Sequence, residues 1–260
     1  KDRDGRFIVS LDMCRMHRVL AVDKKSLLAR IEAGVYGPHM EEQLEAEGVT
    51  LGHFPDSFVH STLGGWVATR SAGMQSDKYG KIEDMVIALR MVTPSGTIVT
   101  RTVPNTSNGI DVRSLCVGSE GILGVITEVT VQVHRVPEYK MFEGWLFPDF
   151  ESGIHAIHEC MRHGTMPVIT RLNDPGKTAL SAAFKKVESP LKQKISRAMK
   201  WYLGKIKGID FTKCCMMTTA YEGDYDTFHM QRRESAHVFR KHDGVNLGEG
   251  PGNSFKEAKY

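Results

Sequence analysis

The sequence predicts a mixed fold in two parts, an α+β part followed by the beginning of an α/β part. Three observations predict it. Short apolar runs with strand-like character are interleaved with helix-period segments along the whole chain. The strand-breaking run Pro137-Glu138-Tyr139 coincides with a change in charge balance, which sets the parts at residues 1–137 and 138–260. Beyond it, the order strand, helix, strand suits a mixed α/β domain. At 260 residues, 41% of them hydrophobic, the chain can bury a real core in one large domain or two smaller ones.

The elements follow in order. Residues 6–11, 19–22 and 28–35 are short apolar runs read as strands, with the Asp23-Lys24-Lys25-Ser26 turn joining the last two. Pro38 opens a helix that puts Met40 and Leu44 on one face, and Gly48 is a natural stop. Residues 63–70 begin another helix, whose free N–H groups would point at an anion or carbonyl. Residues 85–93 and 97–103 flank Pro94-Ser95-Gly96 and form a hairpin. Residues 111–117 make a short helix. Then Val125, Thr127, Val129, Val131 and Val133 alternate with Ile126, Glu128, Thr130, Gln132 and His134, the period of a half-buried strand.

In the second part, residues 141–147 are a strand, and Asp149 caps a helix on which Ile154, Ile157 and Met161 share a face before Gly164 ends it. Residues 167–172 are another strand. Residues 190–207 form a helix with Ile195, Ala198, Tyr202 and Ile206 inward and a basic outer surface; residues 224–241 form a further helix that Gly244 terminates. Residues 1–150 carry a net charge of −3 and residues 151–260 carry +6. That asymmetry suits phosphate-bearing substrates or an anionic membrane surface, and equally ordinary solvated faces. No apolar run is long enough to cross a bilayer as a helix, and the opening KDRDGRF has no secretory core. Five cysteines, two of them adjacent at Cys214 and Cys215, form no disulfide framework and suit a reducing compartment.

Two segments carry the functional signal. Residues 55–84, PDSFVHSTLGGWVATRSAGMQSDKYGKIED, concentrate glycines and short hydroxyls: Gly64, Gly65 and Gly73 remove bulk, while Ser57, Ser61, Thr62, Thr69 and Ser71 can reach phosphate oxygens and ring heteroatoms. Residues 118–128, GSEGILGVITE, repeat that character and lead into a strand. A backbone wrapped closely around a cofactor is the reading that joins them.

These segments resemble the flavin-binding domain of the vanillyl-alcohol oxidase and p-cresol methylhydroxylase (PCMH) superfamily, in which FAD lies along PDS, TxGG and GSEGxLG(V/I)IT loops. Within it the likeness is strongest to the alkyldihydroxyacetonephosphate synthase family, carried by TLGGWVATRSAGMQSDKYGKIEDMV, MVTPSGTI, VGSEGILGVITEVTVQVHRVPEY and RLND. The resemblance implies the second part of a PCMH-type FAD-binding domain, then the start of an α/β cap domain that binds substrate. It implies that Asp56, Ser57, Phe58, Val59, His60, Ser61 and Thr62, then Thr69, Arg70, Ser71 and Ala72, then Glu120, Gly121, Ile122, Leu123, Gly124, Val125 and Ile126 contact FAD. Glu120 would bond a ribose or order its own loop. Arg171, in ITRLNDP, would clamp a phosphate bidentately, against the alternative of an ordinary structural arginine. No histidine, cysteine or tyrosine stands at an obvious flavin attachment point, His60 being the closest, so non-covalent FAD is expected.

The family's upstream glycine loop for the pyrophosphate and its downstream catalytic tyrosine and histidine-rich segment have no counterpart here. The chain is therefore expected to be an internal piece of a larger enzyme or a broken paralogue, weak in FAD binding by itself, with no catalytic residue assignable. By family, the activity would exchange the acyl chain of acyl-dihydroxyacetone phosphate for a long-chain fatty alcohol, with flavin as covalent electrophile and no net redox change. A flavin oxidoreductase acting on a 2-hydroxy acid, and a non-catalytic remnant or interaction module, are the alternatives. A peroxisomal or glycosomal location, peripheral membrane association and a homodimer are likewise family expectations; no nucleic acid partner is expected. Three motifs are set aside. His158 and His163 are five apart, about 140° around a helix, so zinc is not expected. The proline in residues 248–252, GEGPG, argues for a plain turn over a nucleotide loop. GSEG does not place its serine as a nucleophile elbow requires.

Overall fold

The computed structural model describes residues 5, 7–183, 201, 204, 205 and 208–253. It divides into two compact units, Lys1–Val136 and Pro137–Tyr260. The predicted basic helix at residues 190–207 lies almost wholly outside the described residues.

The first unit is built on a five-stranded sheet. Its elements are β1 (Val19–Asp23), β2 (Leu28–Glu32), α1 (Gly37–Ala46), β3 (Val49–Thr50), α2 (Leu63–Thr69), α3 (Ser76–Tyr79), α4 (Ile82–Met85), β4 (Val86–Thr93), β5 (Gly96–Val99), α5 (Val112–Cys116), β6 (Val125–Gln132) and β7 (His134–Arg135). The sheet order is β1-β2-β6-β4-β5, with every pair antiparallel, and β3 pairs with β7. Asp23 makes the β1–β2 turn by accepting from the Lys25 and Ser26 amides at 2.9 and 3.1 Å. Buried Ala29, Ile31, Met40, Leu44, Leu63, Trp66, Leu89, Val129 and Val131 share one core.

Three expectations are corrected in this unit. Residues 7–11 form no strand; Phe7, Ile8, Val9 and Leu11 lie exposed. The hairpin's second strand stops at Val99, beyond which Thr100 still pairs with Leu89, its amide donating to the Leu89 carbonyl at 3.0 Å and its hydroxyl accepting from the Leu89 amide at 2.9 Å. The alternation along β6 changes phase. Its pairing with β4 runs Arg90↔Glu128 and then Met91↔Ile126, a bulge that leaves Thr127 extra. One unmatched residue reverses the inward face, so Val129 and Val131 are buried together with Ile126, while Val125 turns outward.

The second unit contains β8 (Tyr139–Phe147), α6 (Phe150–His163), β9 (Ile169–Leu172), α7 (Pro175–Ala183), β10 (Cys215–Gly223), α8 (Tyr225–Lys241) and β11 (Val245–Gly248). The sheet order is β11-β8-β10-β9. β10 lies between β8 and β9 and is antiparallel to both, so the predicted strand, helix, strand order is a split βαβ unit. Asp149 caps α6 and Asp224 caps α8, each accepting from an amide three residues on at 2.8 Å. The core gathers Trp145, Phe147, Ala156, Cys160, Met217 and Phe239, with the Trp145 and Phe239 rings edge to face at 5.0 Å. On α6 the buried side is Gly153, Ala156 and Cys160; Ile154 and Met161 of the predicted stripe face outward. Gly153 is small because Leu172 packs on it: a Cβ there would stand 2.7 Å from the leucine methyls.

Candidate cofactor site

The first cradle segment is organised around α2. Thr62 is its extended N-cap, with φ −106° and ψ 158°, and accepts from the Gly65 amide at 3.4 Å. The expectation of free amides at this helix start is not met. β2 ends at Glu32, and the chain beyond it supplies acceptors: the Val35 carbonyl takes the Leu63 amide at 3.1 Å and the Ala33 carbonyl takes the Gly64 amide at 2.7 Å. Residues 33–35, predicted as more strand, thus dock the helix instead. Gly64 is required by that docking, since a Cβ would lie 3.0 Å from both the Ala33 Cβ and its carbonyl oxygen.

The other end of α2 meets the second segment. Arg70 closes the helix in the left-handed region at φ 52°. The Val67 and Ala68 carbonyls then accept from the Gly118 and Glu120 amides at 2.9 and 3.0 Å. Gly118, Glu120 and Gly121 all have positive φ, at 79°, 48° and 80°, which folds the GSEG loop into a tight corner against the helix end. Arg70 lies over Gly118 and donates to the Ser114 carbonyl at 3.2 Å. The two segments, about 50 residues apart in the chain, therefore form one surface.

The hydroxyls on this surface are mostly tied down by the protein. Ser57 and Ser61 bond each other at 2.9 Å, the Trp66 indole donates to Ser61 at 2.6 Å, and Thr69 donates to the Gly65 carbonyl at 2.9 Å. Phe58 is half-buried, stacked on Trp66 at 6.1 Å and packed against Gly37. Asp56, Val59, His60, Arg70, Ala72, Glu120, Gly121, Ile122 and Val125 are exposed. Leu123 and Gly124 are half-buried, and Ile126 gives its side chain to the core, leaving only its backbone for a ligand.

One residue of this site carries no sequence signal. His53 is wholly buried behind the surface, with Nε2 2.7 Å from Ser71 Oγ and its ring edge-on to Trp66 at 5.2 Å. Burial pulls its pKa down to about 4.

FAD fits what is present. Ser119 has a buried hydroxyl with no partner among the described residues, a group waiting for an acceptor or donor. A Cβ at Gly121 would meet nothing within 4 Å, so the corner is open on its outer side. The surface offers small hydroxyls and exposed aliphatic edges at Val59 and Ile122, which suits a flat ring and phosphates better than a highly charged ligand. Among the described residues no cluster of three or more histidine, cysteine, aspartate or glutamate side chains could hold a metal.

Arg171 belongs to the second unit. It sits on β9, the edge strand, half-buried and in register with Thr218 of β10. A separate cleft of about 680 Å³ in that unit is lined by His229, Arg232, Arg240 and Asn246 around the buried Glu143, which binds Arg232 at 2.6 Å. Sequence reading did not anticipate this pairing of a buried glutamate with a partly exposed arginine.

Residues 2–102 match the FAD binding domain and residues 136–250 the C-terminal domain of FAD linked oxidases. The chain is 42% identical over 257 residues to alkyldihydroxyacetonephosphate synthase of Trypanosoma brucei brucei, and 41% over 255 residues to that of Dictyostelium discoideum. Each alignment takes in 98% of this chain but 41% and 42% of the relative's length. A solved structure of alkyldihydroxyacetonephosphate synthase superposes with a TM-score of 0.87 at 41% identity, covering 99% of this chain and 46% of that one. The chain thus carries an FAD binding domain followed by the C-terminal domain of FAD linked oxidases, and along 98% of its length it is similar to the alkyldihydroxyacetonephosphate synthases.

Proposed function

We propose that the protein replaces the acyl chain of acyl-dihydroxyacetone phosphate with a long-chain fatty alcohol, yielding alkyl-dihydroxyacetone phosphate for ether-lipid synthesis. The observation that carries this reading is the corner where the C-terminal end of α2 meets Gly118–Gly121, within a chain that is 42% identical over 257 residues to a synthase. FAD supplies the electrophile that splits one displacement into two easier ones. The chain's own part is placement. The corner holds the cofactor with groups already fixed by the fold, Asp56–Thr62 line its approach, and Ser119 offers an unspent hydroxyl. Arg171 supplies a planar guanidinium for the substrate phosphate.

A peroxisomal or glycosomal location, attachment to a membrane surface and a homodimer belong to the same proposal. Among the described residues no helix is long and apolar enough to cross a membrane. The test is an exchange assay on the full-length protein with acyl-dihydroxyacetone phosphate and a labelled fatty alcohol. Stoichiometric release of fatty acid and gain of label, without net flavin reduction, is expected. Reduction of the flavin by a 2-hydroxy acid, with no exchange, would overturn the reading in favour of an oxidoreductase.

A further inference from the structure

His53 has a geometry that settles where its proton sits. Nε2 lies 2.7 Å from Ser71 Oγ, while Nδ1 is buried without a partner among the described residues. Gly73 closes off that side: a Cβ there would stand 3.2 Å from Nδ1 and 2.8 Å from the Phe54 amide nitrogen. A neutral imidazole has one N–H. On Nδ1, that proton would be a buried donor with no acceptor, and Nε2 would consume the Ser71 hydrogen. On Nε2, it donates to Ser71 Oγ, and the orphan is only a lone pair, the less costly of the two. The Ser71 hydrogen is then released to another acceptor. The Ser71 backbone is fixed, its amide on the Trp66 carbonyl and its carbonyl under the Ile82 amide, both at 3.1 Å. Ser71 itself is half-exposed, on the segment that meets the GSEG corner.

We propose that His53 is a positioning residue that makes Ser71 an outward hydrogen-bond donor to an acceptor atom of the bound cofactor. This rests on the reading of the corner as the FAD site. Because His53 stays uncharged across physiological pH, the donor would not switch with pH.

The test uses full-length protein with ¹⁵N-labelled histidine, plus FAD titrations. NMR is expected to show the Nε2-protonated tautomer, unchanged from pH 6 to pH 8. Ser71→Ala and His53→Leu should each weaken FAD binding about tenfold, the double variant should lose little more than either single, and His53→Gln, which keeps a donor near the Nε2 position, should recover most of the affinity. An Nδ1-protonated tautomer, additive losses in the double variant, or a His53→Gln protein no better than His53→Leu would overturn the inference. If His53→Leu fails to fold, the tautomer and the Ser71→Ala titration decide. Absence of FAD binding by the wild-type protein would overturn the cofactor reading itself, whereas tight wild-type binding with an Nδ1 proton overturns this inference alone.

Discussion

Glu41 should make the first unit less stable as the solution becomes alkaline, and Glu41→Gln should remove that dependence. The carboxyl is buried on α1, where Thr50 Oγ1 donates to Oε2 at 2.7 Å and the Leu51 amide donates to Oε1 at 3.2 Å. Burial raises its pKa from 4.5 to about 7, overriding those two bonds, which act the other way. The folded state therefore binds the proton more tightly than the unfolded chain. The associated stability is fully present below about pH 4.5 and is lost as pH rises through about 7. At about 1.4 kcal/mol for each factor of ten in proton affinity, the full span is about 3 kcal/mol. Glutamine keeps an acceptor for Leu51 and turns its amide to Thr50, whose hydroxyl oxygen can accept.

Urea unfolding of wild-type and Glu41→Gln protein at pH 5, 6, 7 and 8 reads the effect. Other titrating groups cancel in the difference. The variant should match the wild type at pH 5 and exceed it by roughly 2 to 3 kcal/mol at pH 8. Flavin retention should follow, because α1 begins at the residues that hold the cradle: Tyr36 bridges to Thr62, and the Gly37 amide reaches the Ser61 carbonyl at 3.4 Å. A difference between the two proteins that is the same at pH 5 and pH 8 would refute the assignment of a buried, protonated carboxyl.

Thr62→Ile removes the cap on Gly65 and should cost about 1 kcal/mol, with a fall in melting temperature and in flavin content measured together by calorimetry and absorbance; retention of both would count against Thr62 as a cradle residue. Arg171→Lys keeps the charge and loses the planar fork, so flavin should stay bound while turnover of the phosphate substrate falls about 10- to 100-fold; loss of flavin instead would move Arg171 to a cofactor role. Gly124→Ala would put a Cβ 2.3 Å from the Val92 carbonyl oxygen, a backbone atom that cannot swing away, and should cost about 2 to 3 kcal/mol in urea titrations. Gly121→Ala meets no neighbour and should cost only the left-handed strain of about 1 to 2 kcal/mol; an equal cost at the two glycines would show the corner is not packed as described.

Much of the fold was legible because local signals and tertiary demands coincide. Asp149 and Asp224 cap the helices they precede, Gly164 ends α6 with φ 67°, and Pro38 opens α1. What escaped was set by contacts distant in sequence. β10, the strand between β8 and β9, reads CMMTTAYEG; buried on both faces for most of its length, it shows no alternation to detect. The phase change at Thr127 is a property of pairing with β4, so β6 read alone misplaces Val125 and Ile126. Ile154, Ile157 and Met161 form a convincing apolar stripe, yet Ile154 and Met161 face outward and only Ile157 of the three packs on the core, because the sheet takes the flatter side at Gly153, Ala156 and Cys160, where close approach is available. At the site, the segments were recognisable by composition, but the partners of their polar atoms were not. His53 is a lone histidine among apolar residues, and only its distance to Ser71 gives it a role.

The glycines and hydroxyls of the cradle turn out to serve the protein before they serve a ligand. Gly64 clears Ala33, Gly73 clears Phe54, Gly118 clears Arg70 and Gly124 clears Val92; Gly121, by contrast, faces open space. Likewise Thr69 and Ser71 spend one interaction each on Gly65 and His53, while Ser61 is committed to both Trp66 and Ser57. A hydroxyl held in this way has lost its rotamer freedom during folding, so a ligand that uses its remaining capacity does not have to freeze it again. At roughly 0.5 to 1.5 kcal/mol for each side chain otherwise immobilised on binding, two such groups amount to about 1 to 3 kcal/mol of affinity gained through rigidity without added contacts. Small residues packed against their own fold are thus the means by which a surface with few charged side chains can hold a large cofactor.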